Sequence, residues 1–242
     1  MIDNQQTTKQ GYEIIAEKFS ASRDKLWAEL NIFKDYLKSG GKVLDLGCGN
    51  GRLVNLFKDI DVEYFGIDNN EKFIKIAKEK YPDRIFVQKD ILEFNTDKKF
   101  DAIFMIASLN HFNEDDRKII LEKVYKLLKP GGFLLMTNWN MYNLKNKKSK
   151  WFSKTENDAV ITEWKSSQGK IGKLVYYILT KSKIKKELKD FEILQNKYYT
   201  NGKKSNVLFG NNLLTVARKV NVECEIPDLN KKAVQHTACI ST

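Results

Sequence analysis

"KVLDLGCGNGRLVNLF", residues 42–57, reads as a strand, a tight turn and a helix. Val43 to Leu46 form a buried strand with an acid in it, and Leu53, Val54, Leu56 and Phe57 form the apolar face of the helix. Between them Gly47, Gly49 and Gly51 free the backbone to take positive φ and let a ligand come close to the main chain. Any doubly wound nucleotide-binding fold opens this way. Spacing separates the candidates. A dinucleotide fingerprint, G-x-G-x-x-G, needs glycine where Arg52 stands, and no Gly-Lys-Ser/Thr follows to make a P-loop. Asp45, two residues ahead of the first glycine, would repel a pyrophosphate. It suits a ligand that brings a cationic amine.

The chain downstream repeats the pattern. "VEYFGIDNN" (62–70) is a second strand ending in Asp68, where an acid accepts both hydroxyls of a ribose. "RIFVQKDILEF" (84–94) is a third strand ending in Asp90, and "FDAIFMIASLNHF" (100–112) a fourth. "LLKPGGFLLMTNWN" (127–140) is a helix end, a turn and a fifth strand. "EKFIKIAKEK" and "EDDRKIILEKVYKLL" are helical patterns between strands. Strand and helix alternate four times, which predicts a parallel sheet with right-handed crossovers.

The stretch "DLGCGNG", residues 45–51, resembles motif I of the class I S-adenosylmethionine (SAM) methyltransferases, acid-x-G-x-G-x-G. The resemblance implies an α/β fold: a doubly wound, seven-stranded, mostly parallel sheet of the Rossmann-like methyltransferase type, with N-terminal lid helices. It implies SAM as cofactor, a ligand with an ammonium and no phosphate. Asp45, Gly47, Cys48, Gly49 and Gly51 would surround it at the turn. Asp68 would face the ribose and Asp90 and the Ile91 N–H the adenine, with Asn69 and Ile106 also among the cofactor-binding residues.

Composition bounds the rest. With 242 residues the chain suffices for one α/β domain with its own core, expected over 1–220, and a tail over 221–242. No apolar run has membrane length and no signal peptide opens the chain, so no membrane association is expected. Cys48, Cys224 and Cys239 are too few and wrongly spaced for zinc or a disulfide framework, which predicts no metal and a reducing, cytoplasmic setting. The same spacing argues against a site made of Cys224, His236 and Cys239. The net charge of +11 is uneven: residues 1–140 hold 22 basic and 22 acidic side chains, so residues 141–242 carry all the excess. That asymmetry predicts a polyanionic substrate over the C-terminal elements; a merely solvated lysine-rich surface stays open.

Residues 10–30, "QGYEIIAEKFSASRDKLWAEL", show two amphipathic helical patterns joined at Ser20-Ala21-Ser22, with Ser20 or Ser22 placed to cap the second. Arg23, opening the second helix, would reach a carboxylate. This opening, with "IASLNHFNEDDR" and "MTNWN", resembles the tRNA wobble-uridine methyltransferases that esterify 5-carboxymethyluridine. The positions carried over are Tyr12, Phe19, Arg23, Trp27, His111, Arg117 and Trp139, of which Arg23, His111 and Trp139 would act on the acceptor. The resemblance spans residues 9 to about 220. Asn110 stands in place of the first histidine of that family's His-His pair. The resemblance implies tRNA as substrate, no DNA, and room for a small activating protein partner.

The acceptor is narrowed by what is missing. Methylating pyrimidine C5 requires a thiolate, and no cysteine follows the fourth or fifth strand. The Asn/Asp-Pro-Pro-aromatic stretch that usually accompanies methylation of amino groups is replaced by "ASLNHF". A carboxylate is ionised at neutral pH and attacks without a base. His111 would then be a positioning donor or a plain strand-end residue. "NMYNLKNKKSKWFSKTEND" (140–158) is polar, lysine-rich and irregular, and predicts a substrate insertion over 139–170. There Tyr142, Trp151 and Phe152 would stack on bases while Lys145, Lys147, Lys148 and Lys150 follow phosphates, or the aromatics would pin a surface loop. "KSKIKKEL" predicts a helix, and "DFEILQNKYY" with "NNLLTVARKV" a closing antiparallel pair. Two other functions stay open: a small-molecule O- or N-methyltransferase, and a non-catalytic SAM- or RNA-binding subunit.

Overall fold

The computed structural model describes residues 4–144, 153–154 and 159–220. Strand β1 (Gly41–Leu46) is buried at every position but Lys42. It lies between β2 (Val62–Asp68) and β4 (Phe100–Ile106), parallel to both, with Asp45 level with Gly66 on one side and Phe104 on the other. Outside these, β3 (Ile85–Gln88) pairs with β2 and β5 (Leu128–Trp139) with β4, again parallel. The C-terminal ends of all five strands therefore face one crevice, where open α/β sheets bind ligands.

Past β5 the sheet turns antiparallel through β11 (Asn212–Lys219), β9 (Phe191–Thr200) and β10 (Lys203–Ser205). The order is β10-β9-β11-β5-β4-β1-β2-β3. The expected seven strands gain an eighth because β9 returns on itself at Asn201-Gly202. Both residues have positive φ, 50° and 77°, as a tight type I′ hairpin requires.

Helices α2 (Glu71–Lys80) and α3 (Glu114–Leu127) lie where the periodicity places them. Each is capped: Asn70 Oδ1 accepts the Phe73 N–H and Asn113 Oδ1 accepts the Asp116 N–H. Three acids in the first turn of α3 complement its dipole. Helix α4 (Lys181–Glu187) covers the expected "KSKIKKEL".

Three local expectations change. The helix after the glycine turn is a six-residue 3₁₀ segment, Arg52–Phe57, which still buries Leu53, Leu56 and Phe57. Helix α1 (Asn4–Ser22) runs unbroken through Ser20-Ala21-Ser22. Ser22 Oγ donates backwards to the Phe19 carbonyl, and buried Ser20 Oγ accepts from Asn50 Nδ2, so neither serine caps a second helix. The second piece is a 3₁₀ helix, Ala28–Tyr36, and Arg23 follows the end of α1 instead of opening it.

Within and beyond the expected insertion lies a second sheet, β6 (Ser153–Lys154), β7 (Ala159–Lys165) and β8 (Ile171–Tyr177), all antiparallel. Helix α1 crosses β8 in backbone contact. A Cβ on Gly11 would stand 2.1 Å from the Lys173 carbonyl oxygen, and one on Gly172 2.5 Å from that of Gly11. The Val175 N–H donates to Thr8 Oγ1 at 3.1 Å. The pair roofs the crevice over a small core of Ile15, Met141, Val160, Leu174 and Tyr176. Two larger cores flank the main sheet.

Among the described residues no helix is long and apolar enough to cross a membrane. The expectations for Lys145, Lys147, Lys148, Lys150, Trp151, Phe152 and the tail with Cys224, His236 and Cys239 lie outside the described residues.

Candidate active site

The glycine turn is built for close packing on two sides and open space on the third. Gly47, Gly49 and Gly51 have φ of 82°, 53° and 75°. A Cβ on Gly47 would meet Ser108 Cβ at 2.6 Å and one on Gly51 would meet Phe86 at 2.9 Å. On Gly49 it would meet nothing within 4 Å. The cleft begins there. Burial pushes the Cys48 thiol well above its ordinary pKa, so it stays neutral and is no nucleophile.

Three acids stand at the ends of β1, β2 and just past β3. Asp45 is buried; its Oδ2 accepts from the Tyr64 hydroxyl at 2.7 Å and its Oδ1 has no partner. Burial raises its pKa to about 7 against the Tyr64 hydrogen bond. Asp68 accepts the Gly49 N–H at 2.8 Å and the Asn70 N–H at 2.9 Å, which fixes its carboxylate at the cleft wall; burial raises its pKa to about 6. Asp90 accepts the Leu92 N–H and the Asn69 side-chain amide. Among the described residues no hydrogen bond engages the Ile91 N–H.

The roof brings rings and cations to the same space. His111 Nδ1 lies 2.8 Å from the Val175 carbonyl, so Nδ1 carries the proton and Nε2 accepts from the Tyr12 hydroxyl at 3.0 Å. Burial lowers its pKa to about 4, and it is neutral with both nitrogens engaged. Tyr176 stacks on Trp139 with centroids 5.5 Å apart and planes 19° apart. The Arg23 guanidinium sits 4.7 Å from the Phe19 centroid, 5.4 Å from Trp164 and 5.7 Å from Trp139. Arg52 lies 4.4 Å over Trp27, with a buried Nη1 that has no partner. Neither arginine makes an ion pair among the described residues.

All the cofactor candidates except Gly51 line one cleft, as do Arg23, His111 and Trp139. Gly51 packs behind it. Arg117 lies elsewhere: it is buried, bound by Nε and Nη2 to Glu187 and by Nη1 to the Phe112 carbonyl. Local pattern gave no sign of two cleft residues. In the sequence Arg52 stands only where another motif needs a glycine. Ala107, at the end of β4, takes φ of 55°, a strained backbone for a residue with a Cβ, directly in the cleft wall.

Residues 37–196 match the family model described as a methyltransferase domain. The tRNA (carboxymethyluridine(34)-5-O)-methyltransferase of Arabidopsis thaliana is 30% identical over 154 residues, 63% of this chain and 34% of that protein. The enzyme of that name from Mus musculus is 32% identical over 149 residues, 61% of this chain and 22% of that one. The chain thus spans about a fifth to a third of these relatives' lengths. A SAM-dependent methyltransferase structure from Clostridium acetobutylicum superposes with a TM-score of 0.67 at 20% identity, covering 84% of this chain and 98% of that one. At that identity the likeness is one of fold.

Proposed function

Because the chain belongs to the methyltransferase-domain family, we propose that it is a cytoplasmic SAM-dependent enzyme that esterifies a carboxylate on a wobble uridine of tRNA. The observation that carries the acceptor is Arg23: a guanidinium fixed among three rings beside the cleft, with no carboxylate partner among the described residues. The carboxymethyluridine activity in the names of the two relatives supports the same reading.

The cleft fits the cofactor by its orphans. Asp45 Oδ1 and Arg52 Nη1 are a buried carboxyl oxygen and a buried guanidinium nitrogen without partners, groups that match the ammonium and the carboxylate of an amino acid end. Buried polar groups left unpaired are costly, so a ligand that satisfies both gains correspondingly. Asp68 is held for ribose hydroxyls, Asp90 and the Ile91 N–H for adenine. SAM supplies, when bound, an electrophilic methyl group on a sulfonium. The chain's own part is to hold the acceptor carboxylate with Arg23, to wall it with Trp139 and Tyr176, and to keep water out under α1 and β8. No side chain takes a proton, because a carboxylate has none to lose at neutral pH. His111 is a latch between roof and floor, not a base.

Binding separates the two ends of the cofactor. Arg52→Gln should weaken S-adenosylhomocysteine by about 2 kcal/mol, the value of charge-assisted hydrogen bonds, and leave 5′-methylthioadenosine, which lacks the amino acid end, unchanged. Asp68→Ala should weaken both about equally. Calorimetry in which Arg52→Gln weakens both ligands alike would remove Arg52 from the amino acid subsite.

Binding also depends on pH with a definite sign. In the free protein Asp45 and Asp68, with pKa raised to about 7 and about 6, hold protons in part between pH 5 and 7. An ammonium beside Asp45 favours its carboxylate, so binding there releases protons and tightens as pH rises through that window. At pH 6 the calorimetric enthalpy should change with the buffer's ionisation enthalpy. A buffer-independent enthalpy would contradict the pairing. The reading as a whole is tested by nucleoside mass spectrometry of tRNA incubated with protein and SAM. Carboxymethyluridine should gain one methyl, and tRNA left unmodified would count against the substrate.

A further inference from the structure

The loop 206–210 presents Val207, Leu208 and Phe209 to solvent in succession, and Phe209 is 59% exposed. Leu144 is exposed beside them, its N–H bonded to the Leu208 carbonyl. Clustered exposed apolar side chains mark interaction sites, and this cluster is not a slack loop. Asn140 Nδ2 donates to the Val207 and Gly210 carbonyls, and Asn143 Nδ2 to those of Phe209 and Gly210. Thr200 Oγ1 donates to the Phe209 carbonyl at 2.7 Å, while Asn206 Oδ1 accepts the Leu208 and Phe209 N–H groups. Gly210 is pressed so closely on Tyr198 that a Cβ there would stand 2.6 Å from Tyr198 Cβ. Backbone bonding this dense holds three apolar side chains outward.

The charge around the loop selects the occupant. Lys203 and Lys204 on neighbouring β10 are exposed and make no ion pair among the described residues. Apolar and aromatic faces set among lysines suit single-stranded nucleic acid, whose bases stack while its phosphates meet cations. The loop is tied to the cleft wall through the backbone: Asn140, which braces it, follows Trp139 of that wall, and Trp139 pairs with Asn212 two residues past Gly210.

We propose that loop 206–210, with Leu144, Lys203 and Lys204, is a preformed platform for unpaired nucleotides flanking the modified residue. The inference rests on the tRNA reading above and adds a binding site to it. The test is titration of the full chain with tRNA over a range of salt. Phe209→Ser should weaken binding about 10-fold at fixed salt, with an unchanged salt slope and unchanged S-adenosylhomocysteine affinity. Replacing Lys203 and Lys204 by Gln should instead flatten the log K against log salt slope by roughly 0.7 per lost contact. Wild-type tRNA affinity in both variants overturns the platform and leaves the substrate reading intact. No tRNA binding by the wild-type chain overturns both. Self-association, or binding to neutral lipid vesicles, that Phe209→Ser abolishes would assign the patch to another occupant and overturn the proposal.

Discussion

Arg23→Gln should lower kcat/KM on tRNA by about 100-fold, near 3 kcal/mol, while cofactor affinity stays within a factor of two or so. The size follows from the surroundings. The guanidinium is flanked by Phe19, Trp139 and Trp164, so a carboxylate that enters is desolvated on the way in. In such a setting a charged hydrogen bond contributes more than at a wet surface, and removing the cation leaves the anion buried and unpaired. Arg23→Lys should rescue little, because an ammonium keeps the charge but loses the planar fork and the stacking. A variant whose S-adenosylhomocysteine affinity falls as steeply as its kcat/KM would move Arg23 to the cofactor's own carboxylate.

Glu187→Ala should destabilise the fold by about 3–5 kcal/mol, the cost of stranding a buried charge. Its partner Arg117 is 3% exposed and donates to Glu187 through two nitrogens, tying α3 to α4. For a chain of this size, at about 2 °C per kcal/mol, that corresponds to a fall in Tm of roughly 6–10 °C. Replacing both partners by apolar residues of similar volume should recover much of the loss. Because the pair does not line the cleft, ligand affinity per folded molecule should not change. An unaltered melting curve for Glu187→Ala would show that the pair contributes nothing net.

What the sequence made legible was local and periodic. The turn at Gly47–Gly51, the acids at the strand ends and the alternation of strand and helix all follow from short-range pattern. The parallel half of the sheet follows with them. What it hid depended on distant partners or on choices that period cannot make. Six apolar-patterned residues fit a 3₁₀ segment as well as a turn or two of α-helix, so Arg52–Phe57 was open to either. A serine bonds forward as a cap or backward into its own helix, and Ser20 chose a third course, an amide thirty residues away. Gly11 against Gly172, and Arg117 against Glu187, join segments that no window spans. Arg52 needed the fold to reveal it, since its meaning lies in Asp45 and Trp27 beside it.

On the proposed reading, the transferred methyl ends on a carboxylate oxygen. Incubating tRNA with the protein and methyl-tritiated SAM, then treating the RNA with mild alkali, tests it most directly. A methyl ester hydrolyses and the label should leave the tRNA as methanol. Label that survives on a nitrogen, a carbon or an ether oxygen would contradict the account.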